Sequence, residues 1–295
     1  MKEIVAKTIL AKVKPADEFW YHHDYNMNLY HGCSHGCIYC DSRSDCYQIE
    51  NFDEVSLKKN ALEILENELQ RKRTKGIIGM GAMSDPYNPQ EIKQQVTRGA
   101  LQLIEKYGFS VSIATKSDLV LRDIDILERI AKKGFAHVAI TITTADDELQ
   151  RKIEPRVSSS SKRFLAIKTL REKGIHTGVL MMPVLPFIND TVENVEKMVA
   201  LAKESNAEYI YPFFGVTLRN NQRDYFYTQI DSLFPGIKEL YIKTYKDKYV
   251  CESNQSKLLY QVIDSLCKKE NILTSMKEIN TFFKIPMESE QLSLF

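Results

Sequence analysis

Between residues 77 and 213 the sequence alternates short runs of branched apolar residues with longer stretches whose apolar positions recur at helical spacing. No other feature constrains the fold as tightly. The stretches 77–82, 109–114, 136–142, 175–182 and 208–213 read as strands, and 90–106, 122–133, 159–173 and 190–204 as helices. A further strand at 27–30 and a helix at 53–73 begin the series. Strands joined through helices at this rhythm pair in parallel, because parallel neighbours need a crossover of a dozen residues or more. The class is therefore α/β, built from six strand–helix units. Rhythm alone leaves open whether the sheet is doubly wound or curls toward a barrel. Residues 1–26 read as an N-terminal cover carrying the aromatic cluster Phe19 to His23. Residues 27–213 form the βα core, 214–290 a helical C-terminal extension rich in Lys and Tyr, and 291–295 a separate tail.

Charge adds little, with 40 basic against 39 acidic side chains and a net of +1. A global basic footprint for nucleic acid is absent, while a local basic groove stays open. No run approaches eighteen apolar residues and residues 1–26 hold no apolar signal-peptide core, so the expectation is a soluble cytoplasmic protein without a membrane partner. In a reducing compartment, six cysteines read as ligands or buried thiols.

Three of those cysteines stand close together. Cys33, Cys37 and Cys40 have three and then two residues between them, so one loop can turn three thiolates toward one centre, which suits iron–sulfur chemistry. A 4Fe-4S cluster held by three thiolates keeps one iron open for a substrate or cofactor. Zinc is the alternative, with Cys46 as a fourth thiolate. Structural zinc sites usually pair two separated Cys motifs, and no second C-x-x-C or C-x-x-H closes the set here.

The loop, with Tyr39 before its third cysteine, resembles the signature of the radical S-adenosylmethionine (radical SAM) enzymes. The wider phrase from Asn28 through Cys40 to Arg43 resembles the branch related to spore photoproduct lyase, whose members repair a thymine lesion in DNA. The resemblance implies a partial (βα)6 TIM-type barrel and two cofactors, a 4Fe-4S cluster and S-adenosylmethionine. It also implies reductive cleavage of that cofactor to a 5'-deoxyadenosyl radical, a one-electron donor such as flavodoxin or ferredoxin, and lyase-like action on DNA. A protein, peptide or small-molecule substrate is the alternative.

By the same resemblance Cys33, Cys37 and Cys40 are the metal ligands and Tyr39 is the candidate catalytic residue. Cofactor contacts fall to Ser84 after the second strand, Lys116 after the third, Thr143 after the fourth, and Glu154 and Arg163 beyond it. Two positions depart from the branch. Met83 stands where those enzymes carry a hydrogen-donating cysteine, and Asp41 replaces a tyrosine after the third ligand. Methionine has no S–H to give. Cys46 and Tyr87 are the nearest alternatives in the sequence. Finally, Gln291, Leu292, Ser293, Leu294 and Phe295 resemble the peptide with which bacterial polymerases and repair proteins dock on the sliding clamp, and Leu and Phe anchors suit a groove.

Overall fold

The computed structural model describes residues 2–14 and 21–283. Five strands precede the first helix: β1 (Lys2–Val5), β2 (Leu10–Lys12), β3 (Tyr25–Met27), β4 (Tyr30–His31) and β5 (Ser56–Lys59). Then follow α1 (Ala61–Arg71), β6 (Ile77–Met80), α2 (Glu91–Gln94), α3 (Val96–Lys106), β7 (Ser110–Thr115), α4 (Ile124–Lys133) and β8 (Ala136–Thr141). The core closes with α5 (Asp147–Ile153), α6 (Ser160–Glu172), β9 (His176–Met181), α7 (Val192–Glu204) and β10 (Ile210–Pro212). The main sheet runs β10-β9-β8-β7-β6-β3-β2. Its neighbours from β3 to β10 are all parallel, and β2 adds an antiparallel edge. Six parallel strands with helical crossovers make the partial (βα)6 barrel.

Strands covered on both faces need apolar residues throughout, not alternation. All six residues of β8 are buried, and Val111, Ile113, Val138, Ile140 and Val179 reach zero exposure. Each such side chain contributes roughly 1.5–3 kcal/mol relative to an exposed one. Helices cover the outside. Ala100, Leu101 and Ile104 of α3 and Ile126, Leu127 and Ile130 of α4 recur at three- and four-residue spacing and seat each helix on the sheet.

Several boundaries differ from the sequence expectation. The stretch 53–73 holds a strand, β5, before its helix, because Asn60 takes a left-handed conformation (φ 54°) that breaks the chain between them. Gln95 (φ 51°) likewise splits 90–106 into α2 and α3. The first strand ends at Met27, and Tyr30–His31 pairs instead with β5 in a small sheet ordered β1-β5-β4. At the N-terminus, residues 2–14 supply strands to both sheets. Phe19 and Trp20 lie outside the described residues. Tyr21 and His23 pack at the lower end of the barrel with His137, Tyr209 and Phe283.

The extension is not helical alone. It contains β11 (Gly215–Thr217), α8 (Gln222–Leu233), α9 (Ile237–Tyr245), β12 (Val250–Glu252), α10 (Ser256–Glu270) and α11 (Met276–Ile279). β11 and β12 form an antiparallel ribbon in which Val216 faces Cys251. That ribbon and α8 lie against the cysteine loop.

Candidate active site

The cysteine loop follows β4 and is pinned from several sides. Gly32 turns the chain at φ 85°, where a Cβ would stand 2.6 Å from the Phe52 carbonyl, so only glycine fits. Cys33 N donates to that carbonyl at 2.9 Å, Ile38 N to Ile153 O at 3.0 Å, and Arg156 N to His35 O at 3.1 Å. Arg156 also donates through Nε to the Ser34 carbonyl.

Cys33 and Cys37 are buried, Cys40 is half-buried, and all three are free thiols lining one cavity of about 720 Å³. Among the described residues no three His, Cys, Asp or Glu side chains converge as a single ion requires. The three cysteines line one cavity, and three soft thiol donors on one cavity suit an iron–sulfur cluster. Burial pushes the Cys33 thiol up to about 12 and raises Cys37 and Cys40 as well. Positive metal beside them would offset that burial and favour the thiolate that a cluster ligand requires. Cys46 is exposed in a separate cleft, its Sγ 2.7 Å from Ser44 Oγ, while Cys251 and Cys267 are buried elsewhere.

The cavity lies at the C-terminal ends of the barrel strands, the usual place for function in such folds. Gly81 (φ 97°) follows β6, and a Cβ on it would stand 2.0 Å from the Ala114 carbonyl. Gly81, which has no side chain, borders the cavity together with Ala82 and Met83. Asp85 was not anticipated as a site residue. It accepts from Thr115 Oγ1 at 2.7 Å, Lys116 N at 2.8 Å and Tyr87 N at 2.8 Å, and lies 3.5 Å from His35 Nδ1. One carboxylate thus ties the exits of β6 and β7 to the cysteine loop; its only sequence signal was the Asp-Pro turn.

Lys116 also lines the cavity, half-buried, and its ammonium makes no hydrogen bond or ion pair to another described residue. Its ammonium stands 5.9 Å from the centre of the Tyr39 ring. Burial works against its charge, yet the fields of Cys37, Glu154, Cys40 and Asp85 outweigh it and hold its pKa above the ordinary lysine value.

The other expected residues fall into two layers. Tyr39 lines the cavity and donates its hydroxyl to Glu154. Behind it, Arg163 pairs with Glu154 at 2.5 Å and donates to the Thr141 carbonyl at 2.5 Å, with both charged groups at zero exposure. Thr143 is fully buried, its hydroxyl without a hydrogen-bond partner among the described residues, and its carbonyl accepts from Asn189 at 2.7 Å and Asn194 at 3.1 Å. Ser84 is buried and does not border the cavity. Tyr87 points away, its hydroxyl 3.1 Å from Asp123 in a buried pair. Ser159 caps α6 and Thr191 caps α7, each through its side-chain oxygen.

The outer wall is aromatic and comes largely from beyond residue 210: Tyr211, Phe213, Tyr249 and Tyr260, with Tyr47 from the loop side. The extension grips the cysteine loop directly. Gln222 Nε2 donates to the Tyr39 carbonyl at 3.2 Å, Thr217 and Arg219 donate to Asp41 at 3.1 and 3.2 Å, and Arg43 lies 3.9 Å over the Tyr225 ring.

A family model described as the Radical SAM superfamily matches residues 27–202. An uncharacterized protein of Methanocaldococcus jannaschii is 33% identical over 204 residues, covering 68% of this chain and 74% of that one. An uncharacterized protein of Mycobacterium tuberculosis is 28% identical over 251 residues, covering 83% of this chain and 73% of its own length. Among solved structures, a spore photoproduct lyase variant with bound AdoMet and dinucleoside spore photoproduct superimposes with a TM-score of 0.65. It is 16% identical, and the match covers 90% of this chain and 79% of that one.

Proposed function

Because the chain belongs to the Radical SAM superfamily and uses a 4Fe-4S cluster with S-adenosylmethionine, we propose that it is a radical enzyme acting on DNA in a lyase-like reaction. The observation that carries the site assignment is one cavity bordered by Cys33, Cys37, Cys40 and Lys116, whose ammonium has no ion-pair partner among the described residues. In this reading the three cysteines hold the cluster. When bound, the cluster and cofactor together supply a 5'-deoxyadenosyl radical.

The chain's own residues orient and shield that chemistry. Lys116 offers its ammonium to the carboxylate of the cofactor, a charge-assisted bond made stronger by the dry surroundings. The bare backbone at Gly81 lets an amino-acid group approach closely. Ser84, Thr143, Glu154 and Arg163 act from behind the wall: the Glu154–Arg163 pair holds the Tyr39 hydroxyl and so fixes the ring that faces Lys116. The aromatic wall of Tyr47, Tyr211, Phe213, Tyr249 and Tyr260 excludes water and presents flat faces to a ring-shaped substrate such as a nucleobase.

Anaerobic protein is expected to contain iron and sulfide, and Cys33→Ala, Cys37→Ala and Cys40→Ala to lose them where Cys46→Ala does not. Reduced enzyme given deuterated thymine-containing DNA should move deuterium into 5'-deoxyadenosine. Transfer from peptides but not from DNA would sink the DNA assignment. We place the tail Gln291 to Phe295, outside the described residues, as a tether to a bacterial sliding clamp. A peptide of those five residues should bind a clamp with micromolar affinity, and no binding would remove the partner.

A further inference from the structure

We propose that Arg219 is a positioning residue for the third cluster cysteine. Through Asp41 it sets the charge beside Cys40, and through Tyr249 it ties that setting to the outer wall of the cavity. The inference rests on the reading that Cys40 is a ligand.

Asp41 follows Cys40 directly. One of its carboxylate oxygens accepts from Thr217 Oγ1 at 3.1 Å and Arg219 Nε at 3.2 Å; the other accepts from Tyr47 at 3.4 Å. Among the described residues Arg219 is the only cation within ion-pair distance of that carboxylate. The far side of the same guanidinium donates to the Tyr249 hydroxyl at 2.8 Å and stands 4.9 Å from the centre of its ring. Asp41, Thr217 and Tyr249 all border the cavity. Three residues further on, Gln222 holds the Tyr39 carbonyl. One short segment, 219 to 222, therefore grips the residue before Cys40 and the residue after it.

Reduction adds negative charge to a cluster, and a carboxylate one residue from a ligand opposes it unless a cation offsets the charge. Arg219 supplies that offset. Side-chain exposures of 31% for Asp41 and 38% for Arg219 let water screen the pair, so its effect is modest and shrinks as salt is raised.

The test is the midpoint potential of the full-length protein with its cluster, followed by electron paramagnetic resonance, together with iron content. Arg219→Gln should shift the potential to more negative values and Asp41→Asn to more positive ones. The double variant should return close to the starting value, and Arg219→Lys should recover most of the shift. Tyr249→Phe should move the potential in the same direction as Arg219→Gln, by less. Shifts of the same sign for Arg219→Gln and Asp41→Asn, or no shift in either, would overturn the proposal. So would iron loss in Arg219→Gln that Arg219→Lys does not restore. If Cys40→Ala keeps its full iron content, the underlying ligand assignment fails, whatever Arg219 does.

Discussion

Lys116 is the residue whose surroundings ask most clearly for a partner that the other described residues do not supply. A half-buried ammonium with no described counterion loses solvation without recovering a hydrogen bond, and an arriving carboxylate repairs both. Charge-assisted bonds of this kind contribute roughly 1.5–3 kcal/mol, so Lys116→Ala should weaken S-adenosylmethionine binding by about tenfold or more. Equilibrium dialysis on cluster-loaded protein measures this, and iron content should not change. That the three cysteines meet at one cavity was legible because three thiols at this spacing share one loop. Asp85 and Arg219 were not, because their partners lie 31 and 178 residues away in sequence. Nothing local in a sequence reports a contact over that distance.

At the scale of elements, the strand ends are held by a buried ion pair. Arg163 on α6 reaches Glu154 after α5 and the carbonyl of Thr141 at the end of β8, so one guanidinium joins three consecutive pieces of the barrel. Removing one partner strands a charge in a dry interior, typically at about 3–5 kcal/mol. Glu154→Gln should lower stability to chemical denaturation by an amount in that range. Glu154→Gln combined with Arg163→Met should recover part of it, and an additive loss in the double variant would show that the two groups do not act as a pair. The strand–helix rhythm was readable because doubly covered parallel strands are apolar throughout. The breaks at Asn60 and Gln95 were not, since each depends on a single left-handed residue that side-chain periodicity does not register. The β11–β12 ribbon escaped notice because three-residue strands carry too little pattern.

The whole molecule carries an acid sensitivity at the end of the barrel opposite the cavity. His23 stacks on Tyr21 over Gly79, its Nε2 unpartnered, and burial lowers its pKa from 6.5 to about 4, with Asn26 opposing and His22 adding to the fall. His137, bonded to Ser112 at 2.8 Å and Tyr209 at 2.8 Å, is lowered in the same direction by burial. Between pH 6.5 and about 4 the unfolded chain binds protons that the folded chain refuses. Stability therefore falls with pH across that window, by up to about 1.4 kcal/mol per unit for each histidine, and the His23 contribution levels off below it. Denaturation midpoints from pH 7 to pH 4 check this. His23→Phe should flatten the slope, and a slope unchanged by that substitution would place the sensitivity elsewhere.

The bonds from Gln222 to Tyr39 and from Arg219 to Asp41 also bear on how the protein is made. They join positions 183 and 178 residues apart, so during synthesis the cysteine loop emerges long before the segment that clasps it. A nascent chain halted before residue 215 presents its three thiols without the ribbon and α8 that later enclose them. Closure of the loop's outer side therefore waits on contacts of long sequence separation, which form later than local ones because their loop-closure entropy is greater.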